Sequence, residues 1–167
     1  DVNLQPGQNF GLCPGVGPGG RGRPTALFDW LHDHVQRIAG RGPGEAPLTF
    51  DDLANLPERR TVQARMVTTN LNAQRAHRVP FEDGELFLYR RADLKALLPP
   101  DVFGALEAVA DTAPTGIGRR LPAGGEFGWF PADGRMPVVV GVRLSMSFPL
   151  VFAAVRLYMV RSEATAG

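Results

Sequence analysis

Serine occurs three times in the 167 residues, as Ser145, Ser147 and Ser162, and cysteine once, as Cys13. A serine hydrolase of the α/β kind presents its nucleophile on a strained strand-to-helix turn, which requires the glycines of G-x-S-x-G. None of the three serines has those neighbours. A single thiol excludes an intrachain disulfide framework and a cysteine-based zinc site, and it fits a reducing compartment. Lysine is nearly absent too: Lys95 stands against 17 arginines, a pattern that reads as codon bias rather than a functional patch. The arginines are scattered and balanced by 17 acidic residues for a net charge of +1. Such a balance gives no electrostatic case for nucleic acid or an anionic membrane surface. The histidines are His32, His34 and His77. His32 and His34 are two apart on a predicted helix and project to different sides, and no H-E-x-x-H or third spaced ligand accompanies them, so no metal centre is expected.

At 18.0 kDa the chain is one domain's worth, with 44% apolar and 21% charged residues, both near globular averages. Glycine and proline are plentiful, at 20 and 15 residues, and concentrate in 6–24 and 40–47. Three patterns in that region imitate chemistry. Gly11-Leu12-Cys13-Pro14-Gly15 has the outline of a nucleophile elbow, but Pro14 lacks the N–H that would hold an oxyanion. Gly15-Val16-Gly17-Pro18-Gly19-Gly20 fits G-x-G-x-x-G by letter, yet no buried strand precedes it and Pro18 removes a donor. Gly19-Gly20-Arg21-Gly22 is similar to a glycine-rich oxyanion loop, without an elbow downstream. All three read as loop, so no catalytic residue, cofactor or metal ligand is assigned.

The chain divides into a Gly/Pro-rich leading segment (1–23), a core (24–160) and a tail (161–167). Residues 24–39 predict a helix with Leu27, Leu31, Val35 and Ile38 on one face, Pro24 in its first turn and Gly40 as its stop. Thr49-Phe50-Asp51-Asp52 reads as a capping box opening a short helix that ends before Pro57. Residues 62–71 predict a strand with Thr68 and Thr69 on opposite faces, and 86–89 a second, with Asp83-Gly84 as the turn between them. Residues 93–98 predict a brief helix stopped by Pro99, and Pro100 opens another whose Val102, Phe103, Leu106, Val109 and Ala110 share a face. Residues 112–135 read as loop. From 136 to 160 the chain is almost wholly apolar, but Arg143 and Pro149 argue against a bilayer span and for a buried core element. Val138-Val139-Val140 favours a strand and Pro137 permits a helix; both stay open.

Several stretches together resemble the patatin-like phospholipase family, in a bacterial branch. They are Phe28-Asp29-Trp30-Leu31-His32, Pro47-Leu48-Thr49-Phe50-Asp51-Asp52-Leu53, Val67-Thr68-Thr69-Asn70-Leu71 with Arg78-Val79-Pro80-Phe81, and Arg143-Leu144-Ser145-Met146-Ser147-Phe148-Pro149. The resemblance spans about residues 24–158 and implies an α/β fold, part of a three-layer α/β/α sandwich. It also implies lipid acyl hydrolysis by a Ser–Asp dyad without a metal. G-x-S-x-G is absent, and Asp83-Gly84 and Asp133-Gly134 lie before the R-x-S-x-S-F-P stretch rather than after it. The dyad is therefore expected outside this chain, which opens without an initiator Met and is read as an excised, inactive piece. On this reading Ser145 and Ser147 pack a helix end, and Arg143 is a buried anchor for a carboxylate or for carbonyls.

The expectation is thus a fragment of a cytoplasmic lipid hydrolase. The complete protein would take an acyl lipid or phospholipid substrate, with possible peripheral membrane contact, no transmembrane segment and no nucleic acid. The alternative is a non-catalytic binding or scaffold domain that keeps the fold without the dyad. A cysteine hydrolase using Cys13 is a third reading.

Overall fold

The computed structural model describes residues 27–56, 61–81, 85–112, 121–131, 133–146, 152 and 154–160. Helix α1 (Leu27–Ile38) buries Phe28, His32 and Gln36. It ends as the sequence predicts: Gly40 adopts φ +73°, the Gly40 N–H donates to the Arg37 carbonyl and the Arg41 N–H to the Gln36 carbonyl at 2.9 Å. The buried Gln36 amide then fastens the following loop, donating to the Ala46 carbonyl at 3.1 Å and accepting from the Leu48 N–H at 2.8 Å.

Helix α2 (Phe50–Ala54) carries the expected capping box on Thr49. Its first N–H groups are also taken up across the fold, Phe50 donating to the Met136 carbonyl and Asp51 to the Gly134 carbonyl. Strand β1 (Met66–Asn70) is shorter than the predicted strand and does place Thr68 and Thr69 on opposite faces. Its partner is not the 86–89 segment but β2 (Arg75–Val79), antiparallel, with Met66 opposite Val79 and Thr68 opposite His77. The turn between them is local: the Asn70 side chain accepts from the Asn72 and Ala73 N–H groups, and Gln74 takes φ +49°. Asp83-Gly84 lies outside the described residues.

Strand β3 (Phe87–Arg90) runs directly into α3 (Arg91–Lys95), and α4 (Pro100–Ala110) follows with Pro100 at its start. Val102, Leu106 and Ala110 are its buried stripe. Within the segment read as loop, the structure forms strand β4 (Phe127–Trp129). The apolar run resolves into helix α5 (Val138–Ser145) and strand β5 (Leu157–Met159). Strand β3 is central in a three-stranded antiparallel sheet ordered β4-β3-β5.

The described elements therefore mix helices with two small sheets, an α/β composition in the general sense. The expected three-layer sandwich is corrected on this point, because its central sheet needs parallel strands joined by crossover helices. Every described strand pairing here is antiparallel. The leading segment 1–23 and the tail 161–167 lie outside the described residues.

Helix α5 sits deepest, with six of its eight residues buried. A Cβ placed on Gly141 would lie 2.8 Å from Phe50 Cζ and 3.2 Å from Met66 Sδ, so only glycine lets the helix approach α2 and β1 this closely. Gly141→Val should lower stability by about 1–3 kcal/mol through overpacking, read by chemical denaturation. An unchanged midpoint would refute the packing of α5 on Phe50.

Candidate functional site

Of the residues singled out from the sequence, Cys13, the glycine patterns of 11–22, Ser147 and Ser162 lie outside the described residues. Asp133 is exposed and accepts from the backbone N–H and the Nε of Arg135, a local turn. Ser145 is the last residue of α5, and its buried Oγ finds no hydrogen-bond partner among the described residues. A serine nucleophile needs a base within hydrogen-bond reach, and Ser145 has none there.

The three histidines do not converge. His32, buried on α1, bonds through Nε2 to Asp101 Oδ2 at 2.6 Å and so ties α1 to the first turn of α4. His34 stacks on Trp30 with ring centroids 5.0 Å apart and accepts at Nδ1 from Arg37 at 2.8 Å. His77, on β2, is the most site-like. Its Nδ1 lies 2.8 Å from Glu85 Oε1, the relation that orients a general base. The other nitrogen decides its role. His77 Nε2 is buried and has no hydrogen-bond partner among the described residues, and the ring packs against Phe81 and Phe87 at 6.2 and 6.1 Å. In this arrangement Glu85 fixes the orientation of the ring and the aromatic side chains enclose it. No motif marked this pair in sequence.

The other polar clusters are likewise engaged with one another. Tyr89 is fully buried and donates to Glu107 Oε1 at 2.6 Å; burial, then this bond to a carboxylate, pushes its phenol far above the usual value. Arg91 bridges Glu107 at 3.0 Å and Asp111 at 2.5 Å. Arg143 is buried completely, as expected from sequence, and two rings flank it: its guanidinium carbon lies 4.9 Å from the Phe28 centroid and 5.8 Å from that of Phe152. Among the described residues no three His, Cys, Asp or Glu side chains gather as a metal site, and no helix is long and apolar enough to cross a membrane.

At Asp52, burial alone would raise the carboxyl. The hydrogen bonds from the Thr49 hydroxyl (2.7 Å) and N–H (2.8 Å), with Arg41 at 2.8 Å, outweigh it and hold the group below the ordinary range.

The chain is similar to a protein of Rhizobium meliloti (strain 1021) named RpoH suppressor, at 35% identity over 159 residues. The match takes in 89% of this chain and 24% of the relative, so the chain spans about a quarter of that protein's length. No protein-family profile and no solved structure matches the chain. These findings overturn the patatin-like resemblance and the lipid hydrolase, phospholipid substrate and lipid-degradation role it implied. The relative's name points to RpoH and not to lipids. The stretches behind the resemblance are accounted for locally: Thr49 to Asp52 is a helix cap, Thr68 bonds the Leu144 carbonyl at 3.0 Å, and Arg143 packs on rings.

Two outcomes follow for these clusters. Arg143→Ala should lower stability by about 2–5 kcal/mol, a large side chain lost from a closed site; an unshifted denaturation midpoint would contradict its burial. Because Asp52 is more acidic folded than unfolded, its contribution is full above its unfolded pKa of about 3.9 and fades as pH falls through the lower folded value. Asp52→Asn should therefore be less stable than the parent at neutral pH, with the gap closing in acid. A gap that holds constant down to acid would remove Asp52 from the cap.

Proposed function

We propose that this chain is a non-catalytic, protein-binding domain whose action opposes RpoH. The observation that carries the reading is the 35% identity to RpoH suppressor, across nearly the whole of this chain. Two features of the described residues support it. Ser145 has no base among the described residues, and of the two histidines bonded to a carboxylate, His32 ties α1 to α4 while His77 keeps its second nitrogen buried. The remaining buried polar groups tie elements together, as His32 does with Asp101 and Tyr89 with Glu107. That the described residues assemble no reaction centre supports a binding role.

The test is direct titration of the purified chain with labelled RpoH, followed by fluorescence anisotropy, beside an ester-hydrolysis assay. Saturable binding with a micromolar dissociation constant is expected, with ester turnover no greater than that of Ser145→Ala. Absence of binding would overturn RpoH as the partner. Turnover abolished by Ser145→Ala would overturn the non-catalytic reading.

A further inference from the structure

Helix α1 turns outward part of the face that its sequence marks as apolar. Leu27, Leu31, Val35 and Ile38 recur at helical spacing, yet the line that enters the core is one residue on, Phe28, His32 and Gln36. One residue is about 100° round a helix. Leu27, Trp30 and Ile38 are left 38%, 50% and 73% exposed, with Leu31 and His34 half-buried beside them. At this spacing Trp30, His34, Leu27, Ile38 and Leu31 follow one another within about 100° of arc, a continuous stripe rather than scattered apolar positions.

The stripe is also held in shape. Trp30 stacks on His34 with the ring planes 15° from parallel, and Arg37 donates to His34 Nδ1 at 2.8 Å. A half-exposed tryptophan fixed by its neighbours loses little side-chain freedom on contact, which suits it as the anchor of a protein interface. One flank of the stripe carries both signs of charge: Asp33 and Arg37, four residues apart and both exposed. On the other flank Val35 passes into the core.

We infer that this face of α1 is an interface with a second copy of the chain, the two α1 helices packing antiparallel about a two-fold axis near His34 and Val35. The charged flank selects both the occupant and the direction. A two-fold axis perpendicular to the two helices reverses one against the other and sets like flank beside like flank, so Asp33 of each copy meets Arg37 of the other. The same axis lays Trp30 and Leu31 along Ile38 of the second helix. A parallel pair would set the charged flank against the apolar one and leave both charges unmatched. A partner helix of a single charge sign would oppose either Asp33 or Arg37 with like charge. The two-fold operation closes on itself, so association stops at the dimer. Two short helices make an interface at the small end of the specific range, so the dimer forms reversibly at micromolar and higher concentrations. This contact is separate from the RpoH reading and does not depend on it.

Sedimentation velocity of the whole chain, from low micromolar to submillimolar concentration, should show a monomer–dimer equilibrium. Tryptophan emission should move to shorter wavelength along the same isotherm, because Trp30 leaves water while Trp129 is buried throughout. Ile38→Glu, at the most exposed position of the stripe, should abolish association and leave the melting temperature of the dilute, monomeric chain unchanged. Asp33→Arg and Arg37→Glu should each weaken self-association about tenfold, as two exposed ion pairs give way to like-charge contacts. An equimolar mixture of these two variants should associate more tightly than either alone, since the mixed pair restores both attractions. A chain monomeric throughout, a dimer indifferent to Ile38→Glu, or a mixture no tighter than its components would overturn the proposal. If the chain stays monomeric and Ile38→Glu abolishes binding of RpoH instead, the stripe belongs to that contact and the second copy falls.

Discussion

The fold depends on how closely α5 can be approached. A helix with six of eight residues buried must offer its neighbours both shape and a place for its one charge. Gly141 removes a side chain where Phe50 and Met66 come in, and the Leu144 carbonyl takes the Thr68 hydroxyl, so α2 and β1 are both fixed to it. On another side Arg143 lies against Phe28 of α1, and Phe28 in turn meets Phe152 edge-on at 5.5 Å. A buried guanidinium is costly unless its surroundings compensate, and aromatic faces supply part of that compensation. The charge thus acts as an orienting peg: it suits one rotation of α5 against α1 and penalises the others.

The three-stranded sheet joins this assembly through rings. Phe81 follows the hairpin, Phe87 and Tyr89 belong to β3, and Phe130 follows β4; their centroids lie 4.5–6.2 Å apart in tilted or edge-on pairs. His77 enters the same cluster from β2, which explains its burial better than chemistry does: it is a ring among rings, with Glu85 satisfying one nitrogen. His32 and Asp101 supply a second tie, between α1 and α4. In both cases a residue type associated with catalysis joins elements distant in sequence. That use leaves no accessible acid–base pair at the histidine with the most suggestive geometry.

Elements whose boundaries are written in local chemistry were legible beforehand. Gly40 stops α1, Thr49 and Asp52 open α2, and Pro100 opens α4, because each acts within one turn of its own position. The hairpin was not. Strand β2 turns His77 and Val79 inward, and a histidine does not register as an apolar position in a period-two pattern. Its turn contains no glycine and relies on the Asn70 side chain, so the more conspicuous Asp83-Gly84 drew the prediction instead. Strand β4 is three residues of Phe-Gly-Trp, too short for any periodicity, and exists through pairing with β3. The three valines opening α5 favour a strand locally; burial on α1, α2 and β1 prevails over that propensity. Arg143 was legible as buried, but its ring partners, Phe28 far away in sequence and Phe152 nine residues on, were not.

The hairpin is where these constraints end. Its inner face is held by α5 through Thr68 and Met66, which fixes the strands rigidly enough to present their outer groups in a set order. Its outer face carries exposed valine, threonine and arginine, and its edges carry unpaired strand backbone among the described residues. Proteins ordinarily blunt such edges with charge, and one sign of charge blunts selectively. Arg65 and Arg78 on that face set like charge against a second copy of the same hairpin and so disfavour self-pairing.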